Sequence, residues 1–458
     1  MEQKLSIKEK LEYSSASIAD AMAYHLVGAY FLFYVTTIAG VQPRTAGILT
    51  GIGAVWTAIL NPLVGFLSDH FQSRYGRRRP VMMAFSIPLF FSMILAFIDL
   101  PLPPLPKAVC YGLILMVYWT GFSGYLVPYL ALASCYTTDY DERTTLRFLA
   151  SMFNQIGALT IFLLPSILVA FLTGRGISPA SAWTIVAAII AAGSLLSIIV
   201  TFLSSKEKDP PCAAEEATHI HIDLIAIFRD YAQVMKLPSA RYLIFASLAA
   251  LICGSITTAD LVYFLTYNQA CSPAKISFIL ALRPIFGALL IPVAAWLAAR
   301  IDKRYTFILL SGAGALGLLF FRTTGVNGLA SQVLLMLFVN MCIATYWHLI
   351  PSMYLDVCDE DTLKNGVNRQ ATILSFQGFV EAIGAGLGTL LLGTLLQNAG
   401  FDGSAAVQPE TALHWIFNAC TLLPCAFILI AMLLIWKYPI TREMHHDIIR
   451  RLAERRDL

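Results

Sequence analysis

Charge is scarce in this chain of 458 residues: 13% are Asp, Glu, Lys or Arg, against 58% hydrophobic. A water-soluble globule of this size needs a charged skin. The shortage excludes one, and a mean hydropathy of +0.70 makes lipid the solvent for most of the surface. Neither sign of charge dominates, with 31 basic and 28 acidic residues. The basic ones sit in short loops rather than in one patch, so nucleic-acid binding has no support. The nine cysteines are odd in number, lie mostly inside apolar runs and show no CxxC or Cys/His ligand spacing. They read as buried thiols, and no metal site is expected. No nucleophile–base set and no phosphate-binding glycine loop is present. GAGALG at 312–317 follows no strand and reads as helix packing. Enzymatic activity, ATP-driven transport and a resident cofactor are therefore not expected. No small-residue cleavage site follows MEQKLSIKEKLEYSSASIAD, so the first helix is expected to stay in the protein.

What the chain does have is long apolar runs, each about 20 residues or more, enough to cross a hydrocarbon core of about 30 Å. They lie near 13–39, 45–68, 80–100, 107–134, 146–173, 181–204, 238–267, 274–299, 304–321, 327–355, 369–396 and 411–436. Unpaired backbone is excluded from lipid, and no ten-residue alternation suggests a barrel. The expected fold class is an all-α membrane protein, a bundle of 12 transmembrane helices in two pseudo-symmetric six-helix halves. Residues 1–204 form the first bundle, 205–237 a cytoplasmic linker, 238–436 the second bundle and 437–458 a cytoplasmic tail. The HIHID histidines of the linker read as solvated rather than as metal ligands. Nearly all Lys and Arg alternate onto one side, leaving Arg44, Lys107, Arg175, Lys275 and Arg322 for the other and Arg283 inside a helix. That asymmetry places both termini in the cytoplasm.

The halves repeat one another in order. Tyr30-Phe31-Leu32-Phe33-Tyr34 answers to Tyr263-Phe264-Leu265-Thr266-Tyr267, Asn61-Pro62 to Ile291-Pro292, and Val127-Pro128 to Ile350-Pro351. Each pair lies six helices apart, which argues for a duplicated unit with a solute site at the midplane between halves.

A charge at membrane depth costs about 2.5–3.5 kcal/mol on insertion scales, so each one marks a site or a paired contact. Asp20 lies two turns into the first helix, with Tyr24 at i+4 on the same face. It reads as a solute- or proton-binding group, or as a structural partner of another helix. On the eleventh helix Gln370, Gln377, Glu381, Gly384 and Gly388 share one stripe, its polar end suited to a cavity and its glycine end to close packing. Arg147, Ser151 and Asn154 form a similar stripe on the fifth helix, where Arg147 reads equally as a snorkelling anchor. Asp260 and Arg283 on adjacent helices are expected to pair. Among the aromatics of the fourth and tenth helices, Trp347 stands out as a surface on which a sugar ring can stack. Between the second and third helices, Asp69 with Arg77 and Arg78 forms a candidate conformational latch, and the same cluster satisfies the orientation rule.

The IAD of the first helix, NPLVGFLSD followed by RYGRRRP, VP followed by DERTTLRFLAS, ATYWHLIPSMYLDV and RQATILSFQ together resemble the major facilitator superfamily. Within it they are similar to the glycoside–pentoside–hexuronide:cation symporters typified by melibiose permease. The resemblance spans nearly the whole chain. It implies a major facilitator-type bundle, and sugar contact by Asp20, Arg147, Trp347 and Gln377. The family's cation site, with two acids on the second helix and one on the fourth, falls here on Thr57, Asn61 and Thr120, which carry no carboxylate. A hard cation needs compensating charge as well as oxygen, so sodium coupling is not implied. The family's eleventh-helix lysine is replaced by Ala382.

The expectation is a secondary active transporter of the bacterial inner membrane, moving a glycoside- or sugar-like solute by alternating access. Coupling, if present, runs on protons through Asp20 or Glu381 rather than on Na⁺. An exporter or carrier of a lipid-like or other organic solute on the same fold, and a non-transporting membrane sensor, remain open alternatives.

Overall fold

In the computed structural model the described residues are 5–71, 73, 76, 78–136, 140–207, 229, 231–366, 369–405 and 407–456. The linker histidines fall outside them. Twelve helices are long and apolar enough to cross a membrane, and among the described residues there is no strand. They are α1 (Ile7–Thr37), α2 (Pro43–His70), α3 (Arg78–Leu95), α4 (Pro104–Tyr136), α5 (Tyr140–Gly174) and α6 (Pro179–Ser204). The remainder are α7 (Pro238–Asn268), α8 (Pro273–Ile301), α9 (Lys303–Thr324), α10 (Gly328–Asn365), α11 (Gln370–Asn398) and α12 (Glu410–Trp436). A shorter polar helix, α13 (Arg442–Arg456), follows.

Local sequence explains the ends. Pro43, Pro179, Pro238 and Pro273 open their helices where a missing N–H costs nothing. Ser6 and Glu9 cap α1 reciprocally, each side chain accepting from the other's backbone N–H. Gly366 ends α10 in the left-handed region. Inside α12 the helix breaks at Thr421. The cause is Pro424, which cannot donate to the carbonyl of Cys420 and whose ring crowds it. Two π-helical turns, Val27–Phe31 in α1 and Phe264–Asn268 in α7, occupy corresponding places six helices apart.

The packing pattern repeats six helices on. As α1 packs on α5 and α6, so α7 packs on α11 and α12; α2 on α4 matches α8 on α10; α3 on α4 and α6 matches α9 on α10 and α12. The halves meet chiefly where α2 lies along α11 and α5 along α8. An even number of crossings returns both ends of the chain to one side, called here the near end.

At the opposite, far end the halves are locked together. Thr36 Oγ1 is 2.6 Å from the Tyr263 hydroxyl, and the Tyr267 hydroxyl donates to Thr37 Oγ1 at 3.4 Å. Gln397 of α11 accepts from the Arg44 backbone N–H at 3.0 Å, and Thr50 donates to Thr389 at 3.0 Å. Between these bonds the two helix backbones touch. A Cβ on Gly47 would lie 3.0 Å from the Thr389 carbonyl oxygen, and one on Gly386 3.2 Å from the Gly51 Cα. Toward the near end such contacts give way to exposed side chains: Arg147, Phe148, Ser151 and Met152 of α5, Gln370 and Leu374 of α11. The structure is shut at the far end and open at the near end.

Helix α13 folds back on the second half. Asp302, in the turn between α8 and α9, accepts from the Arg442 backbone N–H at 2.8 Å, and Arg442 donates to the Ala299 carbonyl at 2.6 Å. Lys303 pairs with Asp356 at 2.8 Å, and His445 reaches Asp359 at 3.0 Å.

Gly386→Leu is expected to hold α2 and α11 apart and to lower solute uptake roughly tenfold or more while leaving the protein folded, since the added atoms meet backbone rather than flexible side chains. Uptake together with chemical labelling of a single cysteine placed at the far end checks this; unchanged uptake and labelling would refute the close contact.

Candidate functional site

On α1, Tyr13, Ser17, Asp20 and Tyr24 recur at i, i+4, i+7 and i+11 and share a face. That face is held in register by α4 and α5. The Tyr125 and Tyr118 hydroxyls of α4 donate to the Ala16 and Ala23 carbonyls, and the Tyr129 hydroxyl lies 2.7 Å from Ser17 Oγ. These tyrosines bind helix to helix, so the fourth-helix aromatics are structural rather than a stacking platform. From α5, Gly157 lets the backbones close up, since a Cβ there would sit 2.9 Å from that of Ala21. One turn nearer the chain ends, Asn154 donates its amide to Asp20 Oδ2 at 2.9 Å. Asp20 is thus an inward-facing carboxylate held by a neutral donor. Tyr24 is 36% exposed, which leaves its ring accessible one turn beyond.

The second half offers a counterpart. Glu381 Oε1 accepts from Gln377 Nε2 at 2.9 Å and from the Tyr346 hydroxyl of α10 at 3.1 Å. Gln377 and Glu381, four residues apart on one face of α11, are thus joined to each other and to α10. Gly384 and Gly388 of that stripe pack on α7, at Leu251 and Ser255. Trp347 stands edge-on to Tyr346, ring centroids 5.1 Å apart, and is 46% exposed. Asp20 and Glu381, one from each half, both lie within electrostatic reach of the Tyr24 hydroxyl.

Arg147 is set apart from this group. It is exposed on α5, seven residues and so about 10 Å nearer the chain ends than Asn154. Its guanidinium lies beside the Tyr13 hydroxyl. Asp20 and Arg147 are staggered along the opening, Arg147 at its mouth and Asp20 deeper.

The expected Asp260–Arg283 ion pair is not formed. Arg283 Nη2 donates to Thr258 Oγ1 at 2.7 Å. Thr258 and Asp260 are two residues apart on α7, about 200° around the helix, so a guanidinium that meets one faces away from the other. Asp260 is fully buried, and neither carboxylate oxygen has a hydrogen-bond partner. Arg283 points instead toward α5 and α1, with its guanidinium carbon 5.4 Å from the Phe162 ring centre.

At the positions that stand for a cation site, the oxygens are otherwise engaged. Thr57 donates to the Gly53 carbonyl at 2.9 Å, and Thr120 to the Met116 carbonyl at 2.7 Å while accepting from the Trp56 indole at 2.9 Å. Asn61 is half-buried on the same helix as Thr57. Of the latch, Arg78 reaches α4 of its own half, donating to the Ala131 carbonyl and lying 3.2 Å from Cys135 Sγ. Arg77 and the side chain of Asp69 lie outside the described residues. Trp56, Phe162 and Thr258 were not legible as site neighbours in the sequence; apolar or hydroxyl residues within apolar runs carry no signal of their own.

A family model described as MFS/sugar transport protein matches residues 12–442. The isoprimeverose transporter of Lactiplantibacillus pentosus is 26% identical over 89% of this chain and 83% of its own length. The glucuronide carrier protein homolog of Escherichia coli is 24% identical over 100% of this chain and 97% of its own. Among solved structures, a bacterial homolog of the human lysosomal transporter Spinster, inward-facing and unoccupied, superposes with a TM-score of 0.68 at 15% identity, covering 97% of both chains.

A double-mutant cycle with Asp20→Ala and Asn154→Ala is expected to show a coupling of roughly 1–2 kcal/mol in thermal unfolding in detergent, because each single change strands a charged-group hydrogen bond. Additive losses would show that the 2.9 Å contact contributes nothing.

Proposed function

We propose how a chain that belongs to the MFS/sugar transport protein family, and so carries a sugar-like solute by secondary active transport, uses the site just described. The family consists of transporters, not enzymes, and the chain is a multi-pass membrane protein. The observation that carries the reading is the convergence of Asp20–Asn154 from the first half with Glu381–Gln377–Tyr346 from the second around Tyr24. Carboxylates and amides held in place by neutral partners are suited to sugar hydroxyls, each of which both donates and accepts. Trp347 supplies an apolar face for the C–H side of a ring. A solute entering from the near end passes Arg147 and reaches Tyr24, and the far end keeps it from leaving on the other side.

Because the two halves each contribute one carboxylate, a solute that bridges them favours closure of the near end around itself. Release of the α2–α11 and Thr36–Tyr263 contacts then opens the far end. The near end is the cytoplasmic one, on the strength of the Lys and Arg asymmetry, and the membrane is the bacterial inner membrane.

Coupling runs on protons. Thr57 and Thr120 have their hydroxyls committed to backbone carbonyls and to Trp56, leaving no anionic oxygen cage for Na⁺. Asp20 and Glu381 are carboxylates to which a proton can be added without rearranging the helices. In proteoliposomes, an inward proton gradient is expected to raise uptake and a sodium gradient to leave it unchanged. Asp20→Asn or Glu381→Gln is expected to abolish the response to the proton gradient. Sodium-stimulated uptake that ignores a proton gradient would overturn the assignment.

A further inference from the structure

We infer that the solute carried by this protein bears an anionic group, of the carboxylate kind, which docks on Arg283 and His25 beneath Phe162 at the floor of the site. This rests on the sugar-transport reading and narrows it to acidic sugars or glycosides.

Arg283 carries a charge that no carboxylate among the described residues balances. Arg283 is 9% exposed, at membrane depth. One guanidinium nitrogen is bound by Thr258, while Nη1 is buried and has no partner among the described residues. Among the described residues no carboxylate is paired with it: Asp260 faces away, and Asp20 and Glu381 are held by Asn154 and by Gln377 with Tyr346. The groups that do face it are Tyr24 and His25 from α1, Phe162 from α5, and Cys253 and Thr258 from α7. A buried guanidinium left in this condition is costly, and structural pairs are normally completed within the protein. An arginine kept charged without a fixed counter-ion is suited to receive one from outside.

A second buried atom points to the same place. His25 Nδ1 has no hydrogen-bond partner among the described residues, and its ring lies 5.1 Å from Phe162, the ring that Arg283 also covers. With the proton on Nδ1, the imidazole adds a neutral donor beside the guanidinium. Two free N–H donors converging from different halves match the two oxygens of a carboxylate, and arginine's planar fork favours that geometry over a point charge. Gly287 lies one turn along α8, where a Cβ would be 3.9 Å from Gln155 Nε2, an ordinary contact, and its carbonyl is held by His348 at 3.3 Å. The rest of the solute then extends from this floor past Tyr24 toward Asp20 and Glu381, whose negative charge suits hydroxyls and excludes a second acid.

The test uses the full-length protein, with methyl glucuronide and methyl glucoside as a matched acidic and neutral pair. Binding is read by thermal stabilisation in detergent and transport by uptake into proteoliposomes. Wild type is expected to bind the acid at least tenfold more tightly than the neutral sugar. In Arg283→Gln the acid-to-neutral preference is expected to fall about 10- to 100-fold, the range for losing a charge-assisted hydrogen bond. Arg283→Lys, which keeps the charge, retains a preference for the acid. Without ligand, Arg283→Gln should unfold at a temperature no lower than wild type, since an unpaired charge is removed; a structural ion pair would give the opposite. Preference for the neutral sugar, or equal loss of both sugars in Arg283→Gln, overturns the inference and leaves the sugar-transport reading standing. Failure of wild type to bind or move either compound overturns both.

Discussion

A polar group placed in hydrocarbon must find its partner inside the protein, because no water is there to supply one and each failure costs several kcal/mol. Much of the internal order of this bundle follows from that rule. Tyrosines on α4 reach carbonyls and a serine on α1. Ser15 and Thr201 join α1 to α6 at 2.9 Å, Ser311 and Thr345 join α9 to α10 at 2.7 Å, and Tyr354 reaches Ser247 across α10 and α7 at 3.1 Å. These bonds add little net stability each, but they set helix rotation, since any other rotation would strand them. Among the buried atoms that lack a partner among the described residues, Arg283 Nη1 and His25 Nδ1 belong to side chains that meet at Phe162.

The same rule separates what must be permanent from what must move. Within each half the helices are tied by side-chain hydrogen bonds at several depths. Between the halves the ties are concentrated at the far end, and the glycines of α2 and α11 there present smooth backbone to one another. Two rigid bodies joined along such a seam can rock, because what must break is a handful of hydrogen bonds and dispersion contacts rather than interlocked side chains.

Much of this architecture was legible in the residues. The twelve spans follow from length and hydropathy, and the Gln377–Glu381 unit from a helical stripe. For Asp20 the residues left a solute or proton role and a structural partner both open, and they did not point to Asn154. What periodicity cannot supply is the rotation of one helix against its neighbour. Adjacent helices made Asp260 and Arg283 look like a pair, yet a step of two residues on α7 turned the arginine to Thr258. That the α4 tyrosine hydroxyls reach α1 likewise depends on helix rotation and could not be read from their spacing. Gly386 lies off the glycine stripe that drew attention, and only the approach of α2 explains it.

The return of α13 onto the turn between α8 and α9 has a mechanical corollary. Arg442, on Asp302 and the Ala299 carbonyl, and His445, on Asp359, tie this helix to the second half, and among the described residues no hydrogen bond or ion pair ties it to the first. It therefore travels with the second bundle as a lever arm at the near end. A fluorophore attached to it would report the tilt of one bundle against the other directly, without entering the solute's path.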